Sequence, residues 1–160
     1  MATWLPQKFD RYADYQTAFL ALIDSAEHSL VLHEDDFSVT GLESRAAHDA
    51  LMAFMLRNPA ASVRLLARRA EWISAHCPRL LQLRETRGHQ FSMRLMSDNS
   101  APLPWPFGIA DMQRIVRRIH FDWARGETSD DARESARALQ AFEIAWETAI
   151  LDSSWQRLGL

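Results

Sequence analysis

Apolar residues recur along the chain with two different spacings, and the alternation of these spacings predicts alternating helices and strands. A helical period of apolar side chains predicts helices over 12–26, 41–58 and 70–86, and a terminal helix about 40 Å long beginning near Thr128. Short apolar runs or a two-residue period predict the strands, which are 29–33, 62–67, 91–95, 107–111 and 115–123.

The first three strands are separated by helices, an order that favours parallel strands with helical crossovers. Three prolines within 98–106 require an extended loop, and a tight turn at 111–113 then joins the last two strands into a hairpin. We predict an α/β fold with a mixed, mainly parallel sheet flanked by helices, a C-terminal hairpin and a long terminal helix. A single domain spans 1–160, with 1–11 as an N-terminal extension.

Length and composition are those of an ordinary globular domain. The chain has 160 residues, 48% hydrophobic and 24% charged, and its apolar runs are far too short to span a membrane. Met1 to Phe9 lacks the basic start and apolar core of a signal peptide. The single cysteine, Cys77, lies on the inward stripe of a helix and fits a reducing compartment. We expect a cytoplasmic protein with a buried, structural Cys77.

The charge distribution leaves the class of partner open. A net charge of −3 gives no overall attraction to nucleic acid or anionic lipid. Seventeen of the eighteen basic residues are arginine, the exception being Lys8. A GC-rich bacterial coding sequence explains this bias, and so does phosphate recognition, because arginine makes bidentate contacts that lysine cannot.

Few residues follow a known catalytic pattern. There is no H-E-x-x-H or G-x-S-x-G sequence and no Gly-rich phosphate loop, so we predict neither a cofactor nor a metal. The acidic run 33–36 is more typical of a solvated loop, but carboxylates such as Glu34 and Asp36 could hold a hard cation. A metal-dependent hydrolase therefore stays as an alternative.

Basic side chains concentrate on the third helix, the third strand and the hairpin. They are Arg79, Arg84, Arg87, Arg94, Arg114, Arg117, Arg118 and His120. Arg117 falls on the apolar side of its strand and must lie at an edge or be paired. An exposed sheet carrying arginines and Trp123 could bind single-stranded nucleic acid by charge and stacking. The simpler interpretation is a solvated face with a core tryptophan.

The order of elements, together with Phe107-Gly-Ile-Ala-Asp111, resembles one half of the phospholipase D-like fold. That stretch looks like the apolar strand and final aspartate of the family's H-x-K-x-x-x-x-D motif. Phe142-Glu-Ile-Ala-Trp146 and the ending Trp155-Gln-Arg-Leu-Gly-Leu160 also look like a group of uncharacterised bacterial domains related to that fold, sometimes attached to acetyltransferase domains.

The departure from the motif removes its chemistry. With Asp111 as the motif aspartate, the nucleophilic histidine and the phosphate-holding lysine fall on Pro104 and Pro106. The resemblance therefore implies a degenerate, non-catalytic module. Half-size members of the family pair two copies across a shared site, which implies a homodimer.

We expect this module to bind a partner protein or a small anionic ligand, with no membrane partner, and nucleic acid as the alternative. The residues expected to bind the ligand are Asp111, Arg79, Arg94, Arg118 and His120.

Overall fold

Residues 4–155 are described by the computed structural model, and they form one seven-stranded sheet with helices on both faces. In chain order the elements are β1 (Gln7–Phe9), α1 (Tyr12–Ser25), β2 (Ser29–Glu34), α2 (Arg45–Arg57), β3 (Ser62–Ala67), α3 (Glu71–His76), α4 (Pro78–Thr86), β4 (Phe91–Leu95), β5 (Phe107–Ala110), β6 (Arg114–Arg118), β7 (Gly126–Ser129), α5 (Ala132–Thr148) and a 3₁₀ turn (Ser153–Trp155). The predicted α/β class is confirmed. No helix within 4–155 is both long enough and apolar enough to cross a membrane.

The sheet is mixed, and its strand order is β1-β7-β6-β5-β2-β3-β4. Strands β2, β3 and β4 are parallel, whereas β5, β6, β7 and β1 pair antiparallel. The predicted majority of parallel pairing is wrong, because only two of the six strand pairs within 4–155 are parallel. The connections after β5 are too short for the crossover that a parallel neighbour requires.

Part of the predicted N-terminal extension belongs to the sheet. Strand β1 pairs antiparallel with β7, with Gln7 opposite Thr128. A three-residue strand carries almost no periodic signal, and its partner lies 121 residues away. The interpretation of 1–11 as an extension is therefore wrong for this strand, while residues 1–3 lie outside the described chain.

The third predicted helix is broken in two by Pro78. Proline has no N–H to continue the helical ladder, but it fits the first turn of α4. Cys77 stands at the break and is buried, as predicted. Burial raises the pKa of its thiol to about 12, so the thiol stays protonated at neutral pH.

The terminal helix is shorter than predicted. Its 17 residues span about 25 Å. Asp131 caps its start by accepting hydrogen bonds from the N–H groups of Arg133 and Glu134. Ile150 continues the apolar period but pairs with the backbone of Leu95 instead. The end of the predicted helix, 156–160, lies outside the described residues.

The second hairpin strand is also shorter than predicted. It ends at Arg118, and the segment 119–125 returns the chain to β7. Thr128, near which the terminal helix was predicted to begin, and Ser129 form part of β7. Trp123, predicted in the strand, lies in the returning segment and is exposed.

Each face of the sheet supports its own apolar core. Helices α1–α4 cover one face, and α5 covers the other with Phe142 and Trp146 packed over β2, β3, β5 and β6. Gly108 allows α1 to approach β5, because a Cβ there would lie 2.8 Å from Leu22 and 3.2 Å from Leu32. Because β2 and β5 are antiparallel, β2 ends and β5 begins at the same end of the sheet.

Candidate functional site

A buried ion pair joins the last residues of two strands at this end of the sheet. Glu34 is the last residue of β2 and Arg118 the last of β6, and both side chains are 1% exposed. Arg118 Nη2 donates to Glu34 Oε1 and Oε2 at 2.8 and 2.7 Å. The hydroxyl of Tyr15, from α1, donates to Oε2 at 2.8 Å. Because β5 lies between β2 and β6, the arginine reaches across about 10 Å of sheet.

The second terminal nitrogen of Arg118 holds the segment 119–125. Arg118 Nη1 lies 3.0, 2.9 and 2.7 Å from the carbonyl oxygens of His120, Phe121 and Trp123. Its Nε is buried and has no hydrogen-bond partner among residues 4–155. Arg118 therefore offers no accessible donor to a ligand, although the sequence predicted it as a ligand-binding residue.

Burial is the largest influence on the ionisation of all three side chains. It raises the pKa of Glu34, although Arg118 opposes the shift. Burial also raises the pKa of Tyr15 well above its usual value, and the charge of Glu34 adds to the effect. Burial alone would lower the pKa of Arg118, but Glu34 reverses the shift and raises it. Arg118 therefore stays charged and Tyr15 stays protonated.

His33 precedes Glu34 and faces the opposite side of the sheet. Its Nδ1 lies 2.9 Å from the carbonyl oxygen of Leu66, which places the ring proton on Nδ1 in the neutral form. The ring centres of Phe107 and Phe121 lie 5.8 Å from that of His33, and Nε2 is buried with no hydrogen-bond partner in the part of the chain that the structure describes. Burial lowers the pKa of His33 to about 4.

Pro104 and Pro106, the positions that the resemblance assigns to the motif histidine and lysine, precede β5 at this same end of the sheet. The first residue of β5, Phe107, pairs with His33, and the carbonyl of Pro106 accepts a hydrogen bond from the N–H of Arg118 at 3.1 Å. Pro104 lies two residues earlier and is exposed. The position where the resemblance places a nucleophile and a lysine is thus occupied by proline rings next to a neutralised arginine.

Asp111 lies at the other end of β5 and β6, about 13 Å along the strand from Arg118. Its carboxylate accepts hydrogen bonds from the N–H groups of Glu27, His28 and Ser29 at 2.6–3.1 Å and pairs with Arg114. Burial raises the pKa of Asp111, but the three N–H groups and Arg114 outweigh it and lower the pKa. Asp111 anchors the turn at positive φ instead of lining a pocket.

The five residues predicted to bind a ligand do not form one site. Arg118 contacts His120 only by donating a hydrogen bond to its backbone carbonyl oxygen, and this contact does not involve the imidazole ring. Arg94 is on the α5 face, where its guanidinium lies 4.4 Å from the Trp146 ring centre and donates to the Trp146 carbonyl. Arg79 is exposed on α4. Within one chain these five residues lie apart, and their role in ligand binding stays a prediction.

The hairpin arginines are paired, so they do not form the free basic surface that the sequence suggested. Arg117 Nη2 lies 2.8 Å from Glu127 Oε1 and 2.6 Å from Glu134 Oε1. Of the two predicted alternatives for Arg117, an edge position or an ion pair, the structure has the ion pair. Arg114 and Arg118 pair with the carboxylates of Asp111 and Glu34. An arginine held by carboxylates has less charge available for phosphate.

The acidic run does not bring its carboxylates together. Glu34 points into the α1 face, whereas Asp35 and Asp36 pair with Arg69 near the surface. Within 4–155 no group of three or more His, Cys, Asp or Glu side chains is arranged to hold a metal ion. Glu34 is bound by Arg118, and Asp35 and Asp36 by Arg69, so the three carboxylates do not converge on one point. The metal-dependent hydrolase stays an untested alternative.

A groove lies beside the prolines on the α5 face of the sheet. It has a volume of about 520 Å³ and runs between the segment 103–105 and one side of α5. The Trp105 ring forms one wall, 5.2 Å from the Phe107 ring, with the Arg117 guanidinium 5.1 Å from the Trp105 ring centre. No pattern in the sequence indicated this groove, because the segment 103–105 and α5 are separated along the chain by β5, β6 and β7.

Breaking the buried pair provides a first test. We expect Arg118→Met to lower the free energy of unfolding at pH 7 by about 3–5 kcal/mol, because Glu34 is left buried without a counter-charge. The loss should shrink as pH falls, since the pKa of Glu34 is already raised and protonation removes the buried charge. Urea denaturation followed by circular dichroism measures both effects.

The matched control is Arg69→Met, which breaks the exposed pair with Asp35 and should cost less than about 1 kcal/mol. The double variant Glu34→Leu/Arg118→Met should recover part of the loss. Equal effects of Arg118→Met and Arg69→Met would contradict a structural role for the buried pair.

His33 gives a second test, through pH. The unfolded histidine has a pKa of about 6.5, so it gains a proton before the folded one does as pH falls. Stability should therefore decline by about 3 kcal/mol between about pH 6.5 and the folded pKa of about 4. Comparing His33→Leu with wild type across this range should show the decline removed. His120→Leu, at an exposed histidine, should retain it, and an unchanged slope in His33→Leu would refute the assignment.

Comparison with solved structures shows the fold. TrmBL2, described as an archaeal chromatin protein with a novel mode of DNA binding, has a TM-score of 0.69 and 14% identity, with 91% of this chain and 53% of that chain covered. This chain thus spans about half of that protein. NucT from Helicobacter pylori has a TM-score of 0.61 and 12% identity, with 92% and 99% covered. Phosphatidylserine synthase from Haemophilus influenzae Rd KW20 has a TM-score of 0.59 and 12% identity, with 86% and 36% covered.

A comparison with curated proteins gave no match. A family model does match: residues 11–158 fit a domain of unknown function, DUF7931. Because this match spans far more than half of the sequence, the chain belongs to the DUF7931 family.

Proposed function

We propose that this protein is a non-catalytic phospholipase D-like module that binds a small anionic ligand and acts as a homodimer. Its fold is similar to those of phosphatidylserine synthase and NucT, which supports the phospholipase D-like lineage. The observation that carries the proposal is the state of Arg118. The guanidinium of Arg118, at the end of the sheet next to Pro106, is buried and bound to one carboxylate and three carbonyl oxygens.

Phosphodiester cleavage needs a nucleophile and a cation that can reach the phosphate. Pro104 and Pro106 supply neither. His33 Nε2 has no hydrogen-bond partner among residues 4–155, but the ring is fully buried and packs against Phe107 and Phe121. It therefore cannot approach a phosphorus atom of a substrate. These features support binding without turnover.

The catalytic test uses the full chain with bis(p-nitrophenyl) phosphate and with lipid phosphodiesters. We expect no release of p-nitrophenolate and no lipid hydrolysis above the rate without protein, because no side chain at the motif edge is placed to attack phosphorus. Hydrolysis that is abolished by His33→Leu or His120→Ala, the histidines nearest the prolines, would overturn the proposal. Hydrolysis unchanged in both variants would be assigned to a contaminant, and the proposal would stand.

The homodimer is supported by exposed apolar side chains at the same edge. Trp123 is 57% exposed, Ile119 43% and Tyr12 37%. All three surround Arg118: Ile119 follows it, the Trp123 carbonyl accepts from it, and the Tyr12 ring centre lies 5.6 Å from its guanidinium carbon. A contiguous apolar patch is characteristic of an interaction surface. In the family that the chain resembles, two copies meet at the edge carrying the motif.

Trp123→Ser should shift the protein from dimer to monomer, because it removes the largest apolar side chain of this patch. Light scattering after size exclusion measures the mass, against 18.4 kDa for one chain. Leu56→Ser is the matched control, since Leu56 is 58% exposed on α2, away from the patch, and should leave the dimer intact. A wild-type monomer at all concentrations would refute the dimer while leaving the ligand-binding proposal in place.

Nucleic-acid binding is the second candidate, favoured by the fold similarity to a DNA-binding chromatin protein. Because the hairpin arginines are paired, such binding would depend on other basic groups. Arg133 and Arg137 on α5 are exposed and have no carboxylate within 4 Å among residues 4–155. The ligand experiment below separates this candidate from a small-molecule function.

A further inference from the structure

The groove between the segment 103–105 and α5 has the shape of a slot. One wall is the half-buried indole of Trp105, held edge-on against Phe107. Another part of the lining is the side of α5 that carries Ala138 and Ala141, two small apolar side chains. A slot lined by an indole and small apolar side chains accommodates a flat ring by stacking.

The cations at the groove are of two kinds. Arg117 is neutralised by Glu127 and Glu134, and its Nε is buried. Arg133 and Arg137 also line the groove, but both are exposed, and their guanidinium groups make no ion pair or hydrogen bond with any residue of 4–155. They lie four residues apart on α5, so their side chains leave the same face of the helix. The carboxylates of Asp131 and Glu134 line the groove as well, but Glu134 is paired with Arg117 and Asp131 caps α5. The two unpaired guanidiniums are complementary to a single anionic group.

We propose that this groove binds a flat aromatic ring carrying a phosphate, the chemistry of a nucleoside monophosphate. The ring lies between Trp105 and α5, and the phosphate lies between Arg133 and Arg137, which bind phosphate oxygens bidentately. The volume of about 520 Å³ is in the range of small-ligand pockets. This inference rests on the proposed function, since it names the class of ligand that the non-catalytic module binds.

An aliphatic anion fits the same walls less well. Its flexible chain would lose conformational freedom in the slot and gain no stacking on the indole. A neutral ring would leave both guanidiniums without a partner. The pairing of an aromatic wall with two free arginines therefore favours a ring and a phosphate in one molecule.

Adenosine monophosphate, titrated into the ¹⁵N-labelled full chain, tests the proposal. The indole N–H signal that disappears in Trp105→Phe is assigned to Trp105. We expect adenosine monophosphate to shift this signal in a saturable manner. Adenosine or inorganic phosphate alone should bind at least about ten-fold more weakly, because each makes half of the contacts.

The double variant Arg133→Gln/Arg137→Gln should weaken binding at least about ten-fold. Its matched control is Arg11→Gln/Arg45→Gln, which removes the same charge from exposed arginines beside α1 and α2, on the other face of the sheet. Circular dichroism checks that each variant keeps its fold. A loss of affinity in the first double variant with none in the second supports the proposal.

Three results would overturn it: no saturable shift up to about 10 mM nucleotide, equal weakening by both double variants, or binding of a 5′-phosphorylated oligonucleotide without binding of the mononucleotide. The last result assigns the groove to nucleic acid instead. None of them depends on hydrolysis, so a failure of this inference is distinct from the appearance of catalysis that would overturn the non-catalytic module.

Discussion

The ion pair between Glu34 and Arg118 joins two strands, β2 and β6, that are not hydrogen-bonded to each other in the sheet. Glu34 ends a strand of the parallel half of the sheet, and Arg118 ends a strand of the antiparallel half. The arginine passes over the start of β5, binds the segment 119–125 through three carbonyl oxygens and meets α1 through Tyr15. An arginine suits this position because its planar group donates in several fixed directions, whereas lysine presents a single point charge.

The cost of burying two charges explains the contacts that surround Glu34 and Arg118. A buried guanidinium needs all its donors satisfied, and a buried carboxylate needs its counter-charge close by. Glu34 and Arg118 meet these requirements from each other and from the backbone, with the exception of the arginine Nε. Groups held in this way are not available to bind or polarise a substrate phosphate.

The two ends of the hairpin are fixed by similar means. At the turn, Asp111 collects three backbone N–H groups and Arg114, and at the other end Arg118 collects carbonyls and Glu34. Charge in this protein therefore serves largely to hold backbone segments in place. The guanidiniums of Arg133 and Arg137 line an open groove and, unlike Arg114, Arg117 and Arg118, make no ion pair with residues 4–155. The proposed ligand site lies there for this reason.

Much of the local structure followed from the sequence. The strand at 62–67 and the strand at 91–95 have the predicted bounds, and α1 and α2 begin and end within a few residues of the predicted positions. These elements have long or clear apolar periods and definite stop signals, such as Asn58-Pro59. Arg118 was also named as a candidate, but with the wrong role, since a strand pattern does not reveal which carboxylate a side chain will meet.

The sequence by itself determined the positions of α1, α2, β3 and β4 and the buried state of Cys77. The tertiary structure decided that β1 joins β7, that the hairpin arginines are paired, and that Trp105 and α5 enclose a groove. Periodicity reports the environment of a residue within one element. Pairing between residues 84 positions apart, as for Glu34 and Arg118, depends on how the whole chain folds back on itself.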